Sequence, residues 1–229
     1  FYIVDNRQSL HFKQLFDSIK FFEFNDLYHE HVSYGTLNDS KGNPFKTREG
    51  GTKPLSELFD ETYNYIKNIN NTLSDSTITH LTNSVLTFSD LITNRKTDYK
   101  FDLEKFTNVN GKTGIYIQYS QVRAKKLIET IDNHKEEIKE LILNKTDKKL
   151  LSKLFLFSHY LEQSALLNEP HHLANYLYEI SNLFNQFYEN EKLTSITDPN
   201  QIASKLYIIN LFLTTSHNTM FCLGILPVD

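Results

Sequence analysis

The sequence predicts a mostly α-helical protein with a small α/β part at its N-terminal end. Three observations predict it. Only 7 glycines and 5 prolines interrupt 229 residues, which favours long helices. From Pro54 onward, apolar residues recur three and four positions apart over long stretches, the period of an amphipathic helix. Ahead of that region stands a compact apolar run, "FYIVD", which reads as a buried parallel strand.

The elements follow in order. After "FYIVD", the segment "RQSLHFKQLFDSIKFF" places Leu10, Phe12, Leu15, Phe16 and Ile19 near helical spacing. "HEHVSYGTL" is rich in strand formers and reads as a second strand or a hairpin edge. The stretch "GNPFKTREGGTKPLSELFDE" over 42–61 is a loop feeding a helix begun by Pro54. Leu55, Leu58, Phe59, Thr62 and Ile66 form one helical stripe, and Ile78, Leu81, Val85, Phe88 and Ile92 a second. "TNRKTDYKFDLEKFTNVNGKTG" has no period and reads as a connector. Past it, stripes run through Ile115, Tyr119 and Val122, then Leu150, Leu154, Phe157, Leu161 and Ala165. Two more follow, Leu173 to Phe187 and Ile202 to Leu213. The expected organisation is an α/β part over 1–98, a linker over 99–113 and a helical bundle over 114–229.

The bulk composition bounds the function. Hydrophobic residues make up 39% and charged residues 23%, the balance of a globular chain. The net charge is -4, so a nucleic acid must be met by a local basic face. Cys222 is the single cysteine, which excludes an internal disulfide framework and fits a reducing compartment. No apolar run is long enough to span a bilayer as a helix, and the start does not resemble a signal peptide. A chain that opens at Phe1 inside a strand, without Met, is expected to be a piece of a longer protein.

A phosphate-binding P-loop needs glycines directly before its Lys-[Ser/Thr] pair. "GNPFKT" has Lys46 and Thr47 but no such glycine, so that reading fails. The loop still sets Lys46 and Arg48 beside Gly50 and Gly51, a basic segment able to stabilise charge developing on a phosphate. Composition alone favours a solvated turn. His29 and His31 share a strand face, but no third ligand is evident, and ordinary surface or turn histidines are the expected reading. His171 and His172 follow Pro170 and read as the first turn of a helix; no metal site is expected. Hydrolase, thiol-redox and zinc-protease motifs are lacking.

Aromatic residues stand out. There are 13 Tyr and 17 Phe and no Trp. "GIYIQYSQVRAKK" spaces Tyr116, Tyr119 and Arg123 three and four apart, with Lys126 a turn further, and "FNQFYENEK" ends a helix with Phe187 and Tyr188. Tyrosines beside arginine and lysine suit stacking and phosphate contacts with unpaired RNA bases. They equally suit the edge of an amphipathic core.

Six segments, in order, resemble the arginyl-tRNA synthetase family of class I enzymes. "YIVDNRQSLHFKQLF" resembles the family's strand and turn late in the catalytic nucleotide-binding fold. "HVSYGTLNDSKGNPFKTREGGTKPLSELFDE" resembles its signature loop. "SDLITNRKTDYKFD" resembles its linker. "TGIYIQYSQVRAKKLI", "HHLANYLYEISNLFNQFYENEKL" and "CLGILPVD" resemble its anticodon-binding domain. The likeness covers nearly the whole chain.

The resemblance implies the back half of a class I catalytic fold followed by an all-helical anticodon-binding bundle. The implied activity is ATP-dependent attachment of arginine to its tRNA, a step of protein biosynthesis. It also implies that Gln8 contacts the substrate arginine and that His11 lies near ATP. Lys46, Thr47 and Arg48 would be the catalytic residues of the signature loop, with Gly50 and Gly51 its ATP-side hinge. Tyr119 and Tyr188 match positions that meet the anticodon loop; Tyr116 and Arg123 join them, Arg123 as a phosphate contact. ATP with Mg2+ is the expected cosubstrate, with no tightly bound cofactor. Arginine and tRNA for arginine are the expected partners, the state a monomer and the location cytoplasmic or organellar. Two departures stand out. Pro44 takes the place of the loop's usual first lysine and Lys46 that of its serine. There is also no H-x-G-H motif, so this chain alone is expected to be inactive. The alternative is a non-catalytic RNA-binding or scaffold protein derived from the synthetase.

Overall fold

The computed structural model describes residues 1–24, 27–38, 54–131, 140–190 and 196–228. The basic loop with Lys46, Thr47, Arg48, Gly50 and Gly51 lies outside the described residues.

The N-terminal part is the small α/β unit. Strand β1 (Tyr2–Asp5) runs through a 3-10 turn into helix α1 (Ser9–Phe21) and on to strand β2 (His31–Tyr34). β1 and β2 are parallel, in register from Tyr2 opposite His31 to Asp5 opposite Tyr34. The hairpin alternative for "HEHVSYGTL" is therefore corrected: an intervening helix makes the connection that parallel strands require. The unit is held by rings. Phe12 is buried and stacks on His31 at 4.6 Å; Phe16 stacks on His29 at 5.9 Å.

The connector read from 93–114 carries short elements of its own. Strand β3 (Leu37–Asn38) pairs in parallel with β4 (Tyr99–Lys100), and helix α4 (Leu103–Phe106) follows. Asp102 caps α4 through the Lys105 amide, and Phe106 is buried. Elements this short cannot display a period. Gly35 lets the two segments meet: a Cβ there would lie 2.8 Å from the Thr97 carbonyl carbon, where the Gly35 amide donates to Arg95 O at 2.6 Å.

Seven further helices are described: α2 (Leu55–Ile69), α3 (Asp75–Leu91), α5 (Gly114–Ile131), α6 (Lys145–Leu154), α7 (Phe157–Leu167), α8 (His171–Asn190) and α9 (Pro199–Cys222). Their starts carry side-chain caps where the sequence supplies them. Ser74 accepts from Thr77 N, and Asn144 with Asp147 forms a capping box. The stripe expected to run from Leu150 to Ala165 is broken between α6 and α7. The buried Tyr176 hydroxyl donates to Leu154 O at 3.0 Å, taking the acceptor that a continuing helix would use. Ala165 is exposed.

The larger core joins Phe88, Ile117, Leu150, Leu177, Phe184 and Phe212 with their neighbours. Phe184 and Phe212 stack at 4.1 Å and 7°. A smaller core collects Ile66, Ile78, Val85 and Phe106. Helix α3 serves both, so packing crosses the expected boundary. Gly114 makes this possible: a Cβ there would sit 2.1 Å from Ser84 O.

Candidate nucleic-acid interface

Helix α5 was expected to bury Ile115, Tyr119 and Val122. It buries Ile117, Gln118, Ser120, Gln121 and Ala124 instead. The glutamines are buried because each is partnered. Gln118 Nε2 donates to Ser84 Oγ and to Leu226 O, both at 2.6 Å, and its Oε1 accepts from Val228 N at 3.0 Å; Gln121 donates to Ser216. This rotation turns Tyr119 outward, where it is 44% exposed.

Helix α8 sets the other wall. Its residues Leu173, Leu177, Ile180, Phe184 and Phe187 are buried. Tyr178, Asn182, Asn185 and Glu189, at the same three-and-four spacing, thereby face α5. Contacts ascend together along both helices. Tyr116 packs on Tyr178 at 5.6 Å and donates its hydroxyl to Asn182 Oδ1 at 3.3 Å. Further along, Arg123 meets Asn185, Tyr188 and Glu189. The two helices therefore run in the same direction.

Arg123 is the centre of the face. Its guanidinium lies over the Tyr119 ring at 4.2 Å and the Tyr188 ring at 4.7 Å. Its Nη1 donates to Asn185 Oδ1 at 3.0 Å and lies 3.7 Å from a Glu189 oxygen. Asn185 is itself fixed by donating to Ser120 Oγ at 2.8 Å. Two rings and an amide thus pre-orient one cation at the surface, each ring contact worth about 0.5–1 kcal/mol at an exposed site. At the other end Lys112 covers the Tyr178 ring at 5.3 Å and donates to Asn175 at 3.1 Å. Burial raises the Tyr116 hydroxyl above its ordinary value, so it remains a donor. The structure brings Tyr116, Tyr119, Arg123 and Tyr188 onto one face; Lys126 is exposed on the same helix. Sequence reading missed Tyr178, Asn182 and Asn185, although their spacing on α8 carried the signal.

Gln8 and His11 lie elsewhere, exposed at the start of α1. Gln8 makes no capping bond with its side chain, and the His11 ring meets Phe12 edge-on at 5.3 Å. Beside them Arg7 holds Asp5 through Nε at 2.9 Å and Nη2 at 2.6 Å, which keeps the Asp5 carboxyl below its ordinary value. Asp5, Arg7, Tyr34 and Thr36 line a cavity of about 210 Å³.

The histidine pairs separate. His29 and His31 serve the ring cluster on α1, and His31 Nε2 also pairs with Val4 O at 3.0 Å. His171 opens α8, as its place after Pro170 predicts. Glu169, His171 and His172 each place a ligand atom within 4.8 Å of the others. The Lys96 ammonium 3.5 Å from Glu169 and the positive end of α8 oppose a cation there.

Comparison with known proteins bears on both halves. Residues 1–103 match the family described as tRNA synthetases class I (R), catalytic domain, and residues 117–229 match the DALR anticodon binding domain. The chain belongs to the arginyl-tRNA synthetase family. It is 38% identical over 211 residues to an arginine–tRNA ligase of Francisella tularensis subsp. novicida, covering 86% of this chain and 36% of that protein. It is 32% identical over 237 residues to the arginine–tRNA ligase of Alkaliphilus oremlandii, covering 98% of this chain and 40% of the relative. The chain thus spans less than half the length of those relatives. Its fold matches solved arginyl-tRNA synthetases of Thermus thermophilus, with TM-score 0.83 at 19% identity, and of Plasmodium falciparum, with 0.78 at 24%. Each match covers 99% of this chain and 40% of the other. The architecture is a class I catalytic part joined to a helical anticodon domain.

Proposed function

We propose that this chain is the tRNA-anchoring portion of an arginine–tRNA ligase and that the α5/α8 face receives the anticodon loop. The observation that carries the reading is Arg123 held between Tyr119 and Tyr188 within the region matched to an anticodon-binding family. The outer faces of the rings offer stacking to unpaired bases, and the guanidinium offers a charge to the connecting phosphate. The organisation proposed with it is a catalytic part over 1–98, a linker over 99–113 and the anticodon-binding part over 114–229.

In the whole ligase, arginine, ATP with Mg2+ and tRNA for arginine are the reactants. The role proposed for the N-terminal part is positioning and charge stabilisation while the arginine carboxylate attacks the α-phosphate. Gln8 would hold arginine, His11 would lie on the ATP side, and Lys46, Thr47 and Arg48 would close over ATP on the Gly50–Gly51 hinge. The β1/β2 pair supports the view that more of a catalytic domain covers this part. Parallel sheets are normally covered on both faces, yet Ile3 is 70% exposed. Exposed apolar residues such as Phe1, Ile3, Phe21 and Phe24 are also what a non-catalytic scaffold would use, which favours that second reading. Among the described residues no helix is long and apolar enough to cross a membrane. A monomer in the cytoplasm is the proposed setting.

The test is tRNA binding by the 229-residue chain, followed by fluorescence anisotropy. Arginine tRNA should bind, and Tyr188→Ala should weaken it about 5-fold or more, since one lost base stack is worth about 1–3 kcal/mol. Unchanged affinity with an unchanged circular dichroism spectrum removes the proposed face. ATP–pyrophosphate exchange with arginine and tRNA present should be at background; clear exchange would overturn the expectation that the chain alone is inactive.

A further inference from the structure

Beside the α5-facing side of α8 lies a groove of about 390 Å³, formed with α6 and lined by Lys149, Ser152, Lys153, Glu179, Asn182 and Gln186 among others. Asn182 joins the two: it lines this groove, and its Oδ1 accepts the Tyr116 hydroxyl on the aromatic face. Groove and face are therefore neighbours along α8.

Charge distinguishes the groove from the rest of a chain whose net charge is -4. Helix α6 reads KTDKKLLSKL, with four lysines in 10 residues. Its carboxylate, Asp147, is buried and bound to Lys205 at 2.7 Å, so it adds no negative charge to the outer surface. Lys145, Lys149 and Ser152 fall at helical spacing on one exposed stripe. Within the groove lining, Glu179 is neutralised by Lys153, whose ammonium also lies over the Tyr160 ring at 4.4 Å. Lys149 is exposed and has no ion pair among the described residues.

We infer that the α6/α8 groove is a second RNA contact. It would take the sugar–phosphate backbone of the nucleotides that continue from those stacked on Tyr119 and Tyr188. Lys149 supplies the charge to phosphate. Asn182 and Gln186 supply uncharged hydrogen-bonding groups to the ribose and phosphate oxygens. This rests on the anticodon reading above and extends it. The aromatic face discriminates bases, and the α6 groove adds affinity that carries no sequence information. Tyr116–Asn182 is the bridge that sets the two contacts in register.

The test uses the 229-residue chain and a fluorescein-labelled anticodon stem–loop of an arginine tRNA, with anisotropy measured across a range of NaCl concentrations. Lys149→Gln should bind several-fold more weakly, and its log–log salt slope should be shallower by about 0.7, the contribution of one phosphate in single-stranded nucleic acid. The factor lost should be the same for a stem–loop with an altered anticodon. Lys149 is exposed, so the substitution leaves the fold intact, to be verified by melting temperature. If Arg123→Ala loses binding while Lys149→Gln keeps both affinity and slope, the groove is not a contact and the aromatic face stands. If neither variant changes binding, both the groove and the face are excluded.

Discussion

At the residue scale, partner supply decides what each side chain does. Arg123 and Lys205 are both cations, but their surroundings differ. Arg123 sits at a surface where rings and an amide orient it. Lys205 is 1% exposed and delivers its charge to Asp147, which is fully buried. Breaking a buried pair from one side leaves the other charge stranded, at about 3–5 kcal/mol. Lys205→Met should therefore unfold at markedly lower urea concentration, and an unchanged midpoint in a urea titration would refute the stated burial. His171 tests electrostatics. Burial, with His172 beside it and Arg95 nearby, lowers its ring below 6.5, while Glu169 opposes the shift; Lys96 engages that carboxylate. The unfolded chain therefore binds the proton more readily than the folded one. This contribution favours folding above pH 6.5 and is lost as pH falls from there toward the folded value. Replacing His171 by Gln should flatten the fall of Tm between about pH 7 and pH 5. An identical Tm–pH curve for the variant would count against the assignment.

At the scale of elements, the helices were legible where their period was long. The stripe from Leu173 to Phe187 is buried as the spacing requires. The stripe on α3 likewise buries Ile78, Val85 and Phe88. Reading failed where hydrogen bonds overrode hydropathy. Gln118 and Gln121 are polar letters in the sequence, but partners from α3, α9 and the C-terminal tail make them core residues. That exchange rotates α5 and exposes Tyr119. It also pins the tail, which His80 and Lys125 hold at Pro227 O and Val228 O, each at 2.8 Å. The break between α6 and α7 has the same origin, in the Tyr176 hydroxyl. Short elements such as β3, β4 and α4 left no period to read. The α3–α5 contact depends on a missing side chain. Gly114→Ala forces a methyl against the Ser84 carbonyl and should cost about 1–3 kcal/mol. That is a drop in Tm of roughly 2–4 °C per kcal/mol for a chain this size. A Tm equal to that of the parent would show that the two helices do not approach as described.

At the scale of the whole molecule, the two parts are tied at the α7–α8 corner. Arg95 donates to Asn168 O at 2.8 Å and to Ser33 O. Asn168, in the left-handed conformation, donates in turn to Glu30 at 3.0 Å. The tie links the strand pair to the helical bundle without passing through the aromatic face. The identity of the chain was legible because its motifs are ordered along the sequence. The proposed tRNA face was legible only in part: Tyr116, Tyr119, Arg123 and Tyr188 could be named, whereas their joining through Asn182 and Asn185 requires the packing of α5 on α8. Where the RNA lies is addressed most directly by hydroxyl-radical footprinting of a full arginine tRNA bound to the 229-residue chain. Protection should centre on the anticodon loop and vanish in Arg123→Ala at the same protein concentration. Protection centred on the acceptor stem, or an anticodon-loop footprint that survives in Arg123→Ala, would contradict the account.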